Sequence, residues 1–193
     1  MLDLTTLTDE ELAGRVGQRD SGALEQLYDR YVRQCFGLAV RIVGDAALAE
    51  EIVQEVFLKL WNQPETYTQA RGRFVSWLLS LIHHRSIDEL RRRSRTEVPL
   101  DGAIPGGFDL RADPAPEPGD QVSLAELREG VRSALARLPA NQREPIELSF
   151  FRGLTHTQIA ELLGQPLGTV KTRIRLGMTA MREALKSSGL LGD

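Results

Sequence analysis

Hydrophobic positions along this chain recur at spacings of three and four, the period of helices that bury one stripe. Thr8 and Glu11 form a capping box that opens a short segment with Leu12 and Val16 on one side. From about Ser21 the series Leu24, Leu27, Tyr28, Tyr31, Val32, Cys35, Ala39, Val43 runs without a breaker to Gly44, which predicts a long core helix. Gly37 interrupts it weakly, at about 1 kcal/mol relative to Ala. Asp45 then caps a third helix with Leu48, Ile52, Val53, Val56, Phe57 and Leu60 inward and Trp61 at its close. The period lapses over residues 62–72, where Pro64, two Thr, two Gln and a closing Gly72 predict a loop. Phe74, Trp77, Leu78, Leu81, Ile82 and Leu90 restore it in a fourth helix, which ends in Arg91, Arg92, Arg93, Ser94, Arg95.

Residues 96–122 carry no period. Five prolines and four glycines predict a linker, and its acids, Glu97, Asp101, Asp109, Asp113, Glu117 and Asp120, face Arg111 alone. Ser123 and Glu126 then cap a fifth helix with Leu124, Leu127, Val131, Leu135 and Leu138 inward, and Pro139 ends it. A sixth runs from about Ala140 to Arg152 with Ile146, Leu148, Phe150 and Phe151, and Pro145 sits early enough in it to be tolerated. Thr155 and Gln158 form another capping box, opening a short helix with Ile159, Leu162 and Leu163 on one face. Gly164 suits its left-handed end, and Pro166 the start of a last helix over about 167–186, with Val170, Ile174, Met178, Met181 and Leu185 inward. The prediction is an all-α chain of two small helical domains, residues 1–95 and 123–193, joined by the linker.

Composition narrows the class of function. With 193 residues and 41% hydrophobic positions the chain can build real cores. No run approaches the roughly 18 apolar residues of a membrane helix, and the acidic N-terminus lacks a signal-peptide pattern, so a cytoplasmic protein without membrane insertion is expected. Cys35 is alone, so no intramolecular disulfide forms, and a buried thiol is expected of it. His83 and His84 are adjacent on a helix, point about 100° apart and cannot share an ion. No nucleophile, acid pair or metal cluster assembles; neither an enzyme nor a cofactor is expected.

Charge changes the picture more. The chain is net -3, yet residues 168–186 hold Lys171, Arg173, Arg175, Arg182 and Lys186 against Glu183 alone. Gly168, Lys171, Thr172 and Arg175 share the outer stripe of the last helix, flanked by Arg173 and Arg182. Two amphipathic helices around a glycine turn occur in many helical proteins; a basic stripe on an acidic chain points to the major groove. On the fourth helix His84, Arg85, Arg92 and Arg95 suit a phosphate backbone or an ordinary charged helix end. The third helix exposes Glu50, Glu51, Gln54, Glu55, Leu58 and Lys59, a solvated face or a partner site, with Leu58 apolar among charges.

In order, these segments resemble the extracytoplasmic-function (ECF) group of bacterial RNA polymerase sigma factors. Residues 45–61 (DAALAEEIVQEVFLKLW) resemble its region 2.2, residues 74–93 (FVSWLLSLIHHRSIDELRRR) its regions 2.3 and 2.4, and residues 138–185 its region 4. The resemblance implies a transcription initiation factor without chemistry of its own, which binds core polymerase and helps to open the duplex. It places Glu51, Gln54, Glu55 and Leu58 on the coiled coil of the polymerase β′ subunit, with the β flap as a further contact. It assigns the -10 element to the loop 68–73, with Arg71 and Arg73, and to His84, Arg85 and Arg92. It assigns the -35 element to Gly168, Lys171, Thr172, Arg173 and Arg175. An anti-sigma factor is an implied partner. Where many members carry Asn this chain has His84, and Pro145 replaces a usual aliphatic residue. The alternative is a helix-turn-helix regulator that binds operator DNA without polymerase.

Overall fold

The computed structural model describes residues 3–96 and 122–190, and every regular element among them is helical. The chain divides into two compact units, residues 1–99 and 100–193. The expected acidic linker lies outside the described residues except at its ends, where Thr96 and Val122 are still helical.

The first unit contains α1 (Asp9–Gly17), α2 (Ser21–Val43), α3 (Ala46–Asn62) and α4 (Phe74–Thr96). Local chemistry sets most of its boundaries. The Thr8–Glu11 capping box opens α1 as expected. The Asp20 carboxylate accepts from the N–H groups of Gly22 and Ala23 at the start of α2, which closes at Gly44 in the left-handed conformation (φ +71°). Asp45 accepts from the Leu48 N–H and starts α3, so one dipeptide ends a helix, begins another and turns the chain back. α2 packs against α1, α3 and α4. Their shared core includes Leu12, Val16, Leu27, Cys35, Ile52, Leu60, Phe74, Leu78 and Ile82, all essentially inaccessible. Burial pushes the Cys35 thiol up to about 12, leaving it neutral and structural.

The second unit holds α5 (Val122–Arg137), α6 (Ala140–Arg152), α7 (His156–Leu162) and α8 (Leu167–Ser187). One cluster joins Leu135, Leu138 and Ile146 to Met181; another joins Ile159, Ala160 and Val170 to Leu148, Leu154 and Leu163. Ile174 packs against both and makes them one core. Four expectations are corrected here. α5 begins at Val122, so Ser123 lies inside it. Val131 is 38% exposed, one turn before the buried pair Ala134 and Leu135, and the side chains of Leu124 and Leu127 lie outside the described residues. Leu162, on the far side of Ile159 from Ala160 and Leu163, is 55% exposed. Met178 is 53% exposed, and Gly177 takes its place on the inner stripe of α8. A Cβ on Gly177 would lie 2.6 Å from Ile146 Cδ1 and 3.3 Å from both Gln142 Cβ and Leu138 Cδ1, so the missing side chain is what lets α6 and α8 approach.

One polar cluster ties α4 to α3. The Glu89 side chain is 3% exposed and lies among arginines: Arg92 Nη2 at 2.5 Å, Arg85 Nη1 at 3.2 Å and Arg93 Nε at 3.8 Å. Arg85 Nε reaches on to Glu55 at 2.7 Å and Arg93 Nη1 to Asp45 at 3.2 Å, both on the α3 side. The Arg92 bonds, then those of Arg85, hold the Glu89 carboxyl down to about 2.

Two outcomes are expected. Gly177→Val should destabilise the second unit by roughly 1–3 kcal/mol through overpacking against Ile146, read as a lowered urea midpoint at unchanged slope. For Glu89 the folded pKa lies below its ordinary 4.5, so its stabilisation is full above that value and lost as pH falls toward about 2. Glu89→Gln should cost about 2 kcal/mol at neutral pH, and the melting temperature of the variant should fall less than wild type between pH 5 and pH 3.

Candidate nucleic-acid and partner interfaces

In the first unit, α3 separates its residues cleanly. With Leu48, Ile52, Val53, Val56, Phe57 and Leu60 buried, the opposite stripe presents Glu51, Gln54, Glu55 and Leu58, spaced so that they follow one another along a single face. Leu58 is 59% exposed, an apolar side chain held in water amid carboxylates. That combination suits a partner with its own apolar and basic groups. Glu55 is not a lone surface acid, since it accepts from Arg85 of α4. Glu55 and Arg85, to which the family resemblance gives different ligands, are thus neighbours.

The segment between α3 and α4 is built rather than slack. It makes two 3-10 turns, Pro64–Thr66 and Gln69–Arg71, on either side of the buried Tyr67. The Tyr67 ring stands edge-on to Phe74, with centroids 5.2 Å apart, and 5.4 Å from Trp77. Its hydroxyl donates to the Gly72 carbonyl at 3.2 Å. Gly72 has φ +107° and ψ -169°, a conformation that any Cβ would strain. Thr68, Gln69, Ala70 and Arg73 are exposed on the outside. The side chain of Arg71 lies outside the description.

On α4 the expected basic face divides in two. Arg85 and Arg92 lie on the Glu89 side and are tied to it, while His84 is exposed about 100° away. His84 Nδ1 stands 2.6 Å from the Ser80 carbonyl oxygen, which can only accept, so Nδ1 carries the proton and Nε2 is left to meet a ligand. Arg92 is 70% exposed. Glu89 is what the reading of the sequence missed. Its signal was there, since Arg85, Arg92 and Arg93 stand four before, three after and four after it.

In the second unit α7 and α8 form a helix-turn-helix. Thr155 and Gln158 make the expected capping box, Gly164 takes φ +61°, and the Pro166 carbonyl accepts from Thr169 and Val170 as α8 starts. Gly168, Lys171, Thr172 and Arg175 are exposed on one face of its first two turns. Arg173 stands apart from them: it is half-buried and its guanidinium donates to the Gln165 side chain in the turn. Further along, the same outer stripe carries Thr179, Arg182 and the corrected Met178. Among the described residues no three His, Cys, Asp or Glu side chains gather into a metal site, and no helix is long and apolar enough to cross a membrane.

Comparison with known proteins places this geometry. Residues 27–96 match the family model of sigma-70 region 2, and residues 128–181 that of sigma-70 region 4. The chain is 35% identical over 186 residues to the ECF RNA polymerase sigma factor SigK of Mycolicibacterium vanbaalenii, covering 95% of this chain and 92% of the relative. It is 30% identical to SigK of Mycobacterium tuberculosis, covering 93% and 94% of the two chains. Among solved structures, Rhodobacter sphaeroides SigE, crystallised with the anti-sigma ChrR, is 27% identical over 94% of this chain and 99% of that one, at a TM-score of 0.47. The chain belongs to the extracytoplasmic-function RNA polymerase sigma factors, which direct core polymerase to promoters.

Proposed function

We propose that this sigma factor docks on core polymerase through Glu51, Gln54, Glu55 and Leu58, meets the opened -10 element with Arg71, Arg73, His84, Arg85 and Arg92, and reads the -35 duplex with Gly168, Lys171, Thr172, Arg173 and Arg175. Residues 1–95 then form the region 2 domain, 96–122 the linker and 123–193 the region 4 domain. It acts in the cytoplasm by recruitment alone, with the chemistry left to polymerase. An anti-sigma factor joins the proposal by likeness to Rhodobacter sphaeroides SigE, which was crystallised with one.

The observation that carries the reading is the outer stripe of α8, where a glycine, a threonine and two cations share the exposed N-terminal face of the second helix of a helix-turn-helix. Lys171 and Arg175 can meet phosphate or a guanine edge, while Gly168 and Thr172 keep the helix slim enough to enter the groove. Arg173, bound to Gln165, reaches DNA only if that bond is exchanged, and its place is at the edge of the contact. The decisive experiment is transcription in vitro with purified core polymerase on genomic fragments. Specific transcripts that start only when this chain is added support the reading; none from any fragment refutes it.

Two variants test the separate surfaces. Glu51→Lys with Gln54→Lys reverses the α3 face while sparing the Glu55–Arg85 pair, and should abolish core binding in a pull-down while moving stability by no more than about 0.5 kcal/mol. Arg175→Ala and Lys171→Ala should both weaken -35 use, and the salt dependence of binding sorts their roles. Loss of a base contact relaxes sequence preference by roughly 1–3 kcal/mol, whereas loss of a phosphate contact weakens all sequences alike and lowers the salt slope by about one.

A further inference from the structure

The first turn of a helix has N–H groups without intrahelical partners, and a side-chain oxygen next to the start usually satisfies one. α4 begins without such a residue. Its preceding positions are Gly72 and Arg73, and Arg73, whose carbonyl accepts from the Trp77 N–H, has a side chain that can only donate. The Phe74 N–H instead donates to Glu10 Oε1 at 3.1 Å, a carboxylate 64 positions upstream on α1. Phe74 is fully buried, so water is a poor substitute for that acceptor.

Glu10 is itself held in place. The Thr8–Glu11 capping box fixes where α1 starts. The neighbouring Asp9 accepts from the Tyr31 hydroxyl and from Arg30 at 2.9 Å, and Arg30 also donates to the Thr5 carbonyl at 2.9 Å. α1 is thereby bolted to α2, with one carboxylate aimed at the positive end of α4. Beside that end hangs the segment 62–73, secured by Tyr67 among the aromatic rings and by its bond to the Gly72 carbonyl. α1 lies wholly outside the stretch matched by the region 2 family model, which starts at residue 27.

We infer that Glu10 is a positioning residue for promoter opening: by capping α4 from a distance it fixes the pose of residues 68–73. The inference rests on the reading that places the opened -10 strand on that segment. An unstacked strand competes with rewinding of the duplex, and a segment that must be ordered on capture loses part of the binding energy to its own lost backbone freedom. A segment already held at Tyr67, Gly72 and Phe74 does not. With Glu10 removed, the buried Phe74 N–H loses its acceptor, the first turn of α4 frays, and Arg73 loses its fixed position.

The test uses holoenzyme reconstituted with core polymerase and a labelled single-stranded oligonucleotide carrying the non-template -10 sequence of a promoter that the protein transcribes. All measurements are made well below the melting temperature of each variant. Glu10→Ala should weaken capture of the strand by roughly tenfold and slow open-complex formation, with core affinity and -35 duplex binding unchanged. Glu10→Gln keeps the accepting oxygen and should return capture to within about twofold of wild type. Val16→Ala, on the buried side of the same helix and away from the cap, should destabilise the unit without weakening capture. If Val16→Ala weakens capture as much as Glu10→Ala, or Gln fails to rescue, the role is merely structural and the inference falls. Arg73→Ala separates the two levels. Unchanged capture in that variant overturns the -10 placement and the inference together, whereas reduced capture there and normal capture in Glu10→Ala overturns the inference alone.

Discussion

A helix can offer a ligand only the stripe it does not bury, and this division governs the whole molecule. On α3 seven buried residues leave an outer face of acids, Gln54 and Leu58. On α8 the inward run Val170, Ile174, Gly177, Met181, Leu185 leaves the basic stripe outside. Each face is set by what the other side packs against. In the second unit Ile174 packs against both apolar clusters, and so holds the recognition helix at a fixed rotation relative to α5, α6 and α7. A change at Ile174 or Gly177 would turn or lift the stripe that carries Lys171 and Arg175 without altering either residue.

That division explains what the sequence reveals and where it misleads. Thr8, Asp45 and Thr155 are legible as caps because capping is local chemistry within three residues, and the structure uses all three. The buried face of α3 is legible because its seven buried residues are all apolar and recur at helical spacing, which leaves little choice of rotation. On α7 and α8 the choice is open. Leu162 and Met178 are apolar and at helical spacing, yet Ala160 and Gly177 are buried in their stead. The reason is close approach: small residues are drawn to the point where two helices touch, and hydrophobicity alone ranks them below a leucine or methionine. A pattern read for greasy residues places the stripe tens of degrees from its true centre.

Tertiary polar partners are the other part that local pattern does not contain. Glu89 was within reach, since its arginines lie one helical turn away. The bonds from Arg85 to Glu55 and from Phe74 to Glu10 join positions 30 and 64 apart, and only the packing of α4 on α3 and α1 creates them. The candidate surfaces therefore emerge from the sequence as lists of residues, which are exposed as expected on α3 and, Arg173 apart, at the start of α8. Their connections do not emerge, nor does the division of the α4 face between His84 and the arginines around Glu89.

Magnitudes decide how those connections bear on the cycle of binding and release. The Glu55–Arg85 pair joins the outer face of α3 to α4, but both partners are substantially exposed, and such pairs are worth about 0–1 kcal/mol. At that strength it exchanges readily for a charge brought by a ligand. Glu89 differs, because its carboxylate is almost wholly withdrawn from water and three guanidiniums converge on it; leaving them without it would strand positive charge side by side on one helix. The arrangement is thus graded. A deep carboxylate keeps the arginines of α4 in position, while a shallow one tethers Arg85 lightly enough to be exchanged. With Glu89 withdrawn beneath them, the guanidiniums of Arg85 and Arg92 have their geometry set in folding, so the entropy of ordering them is not left to be lost on binding a ligand.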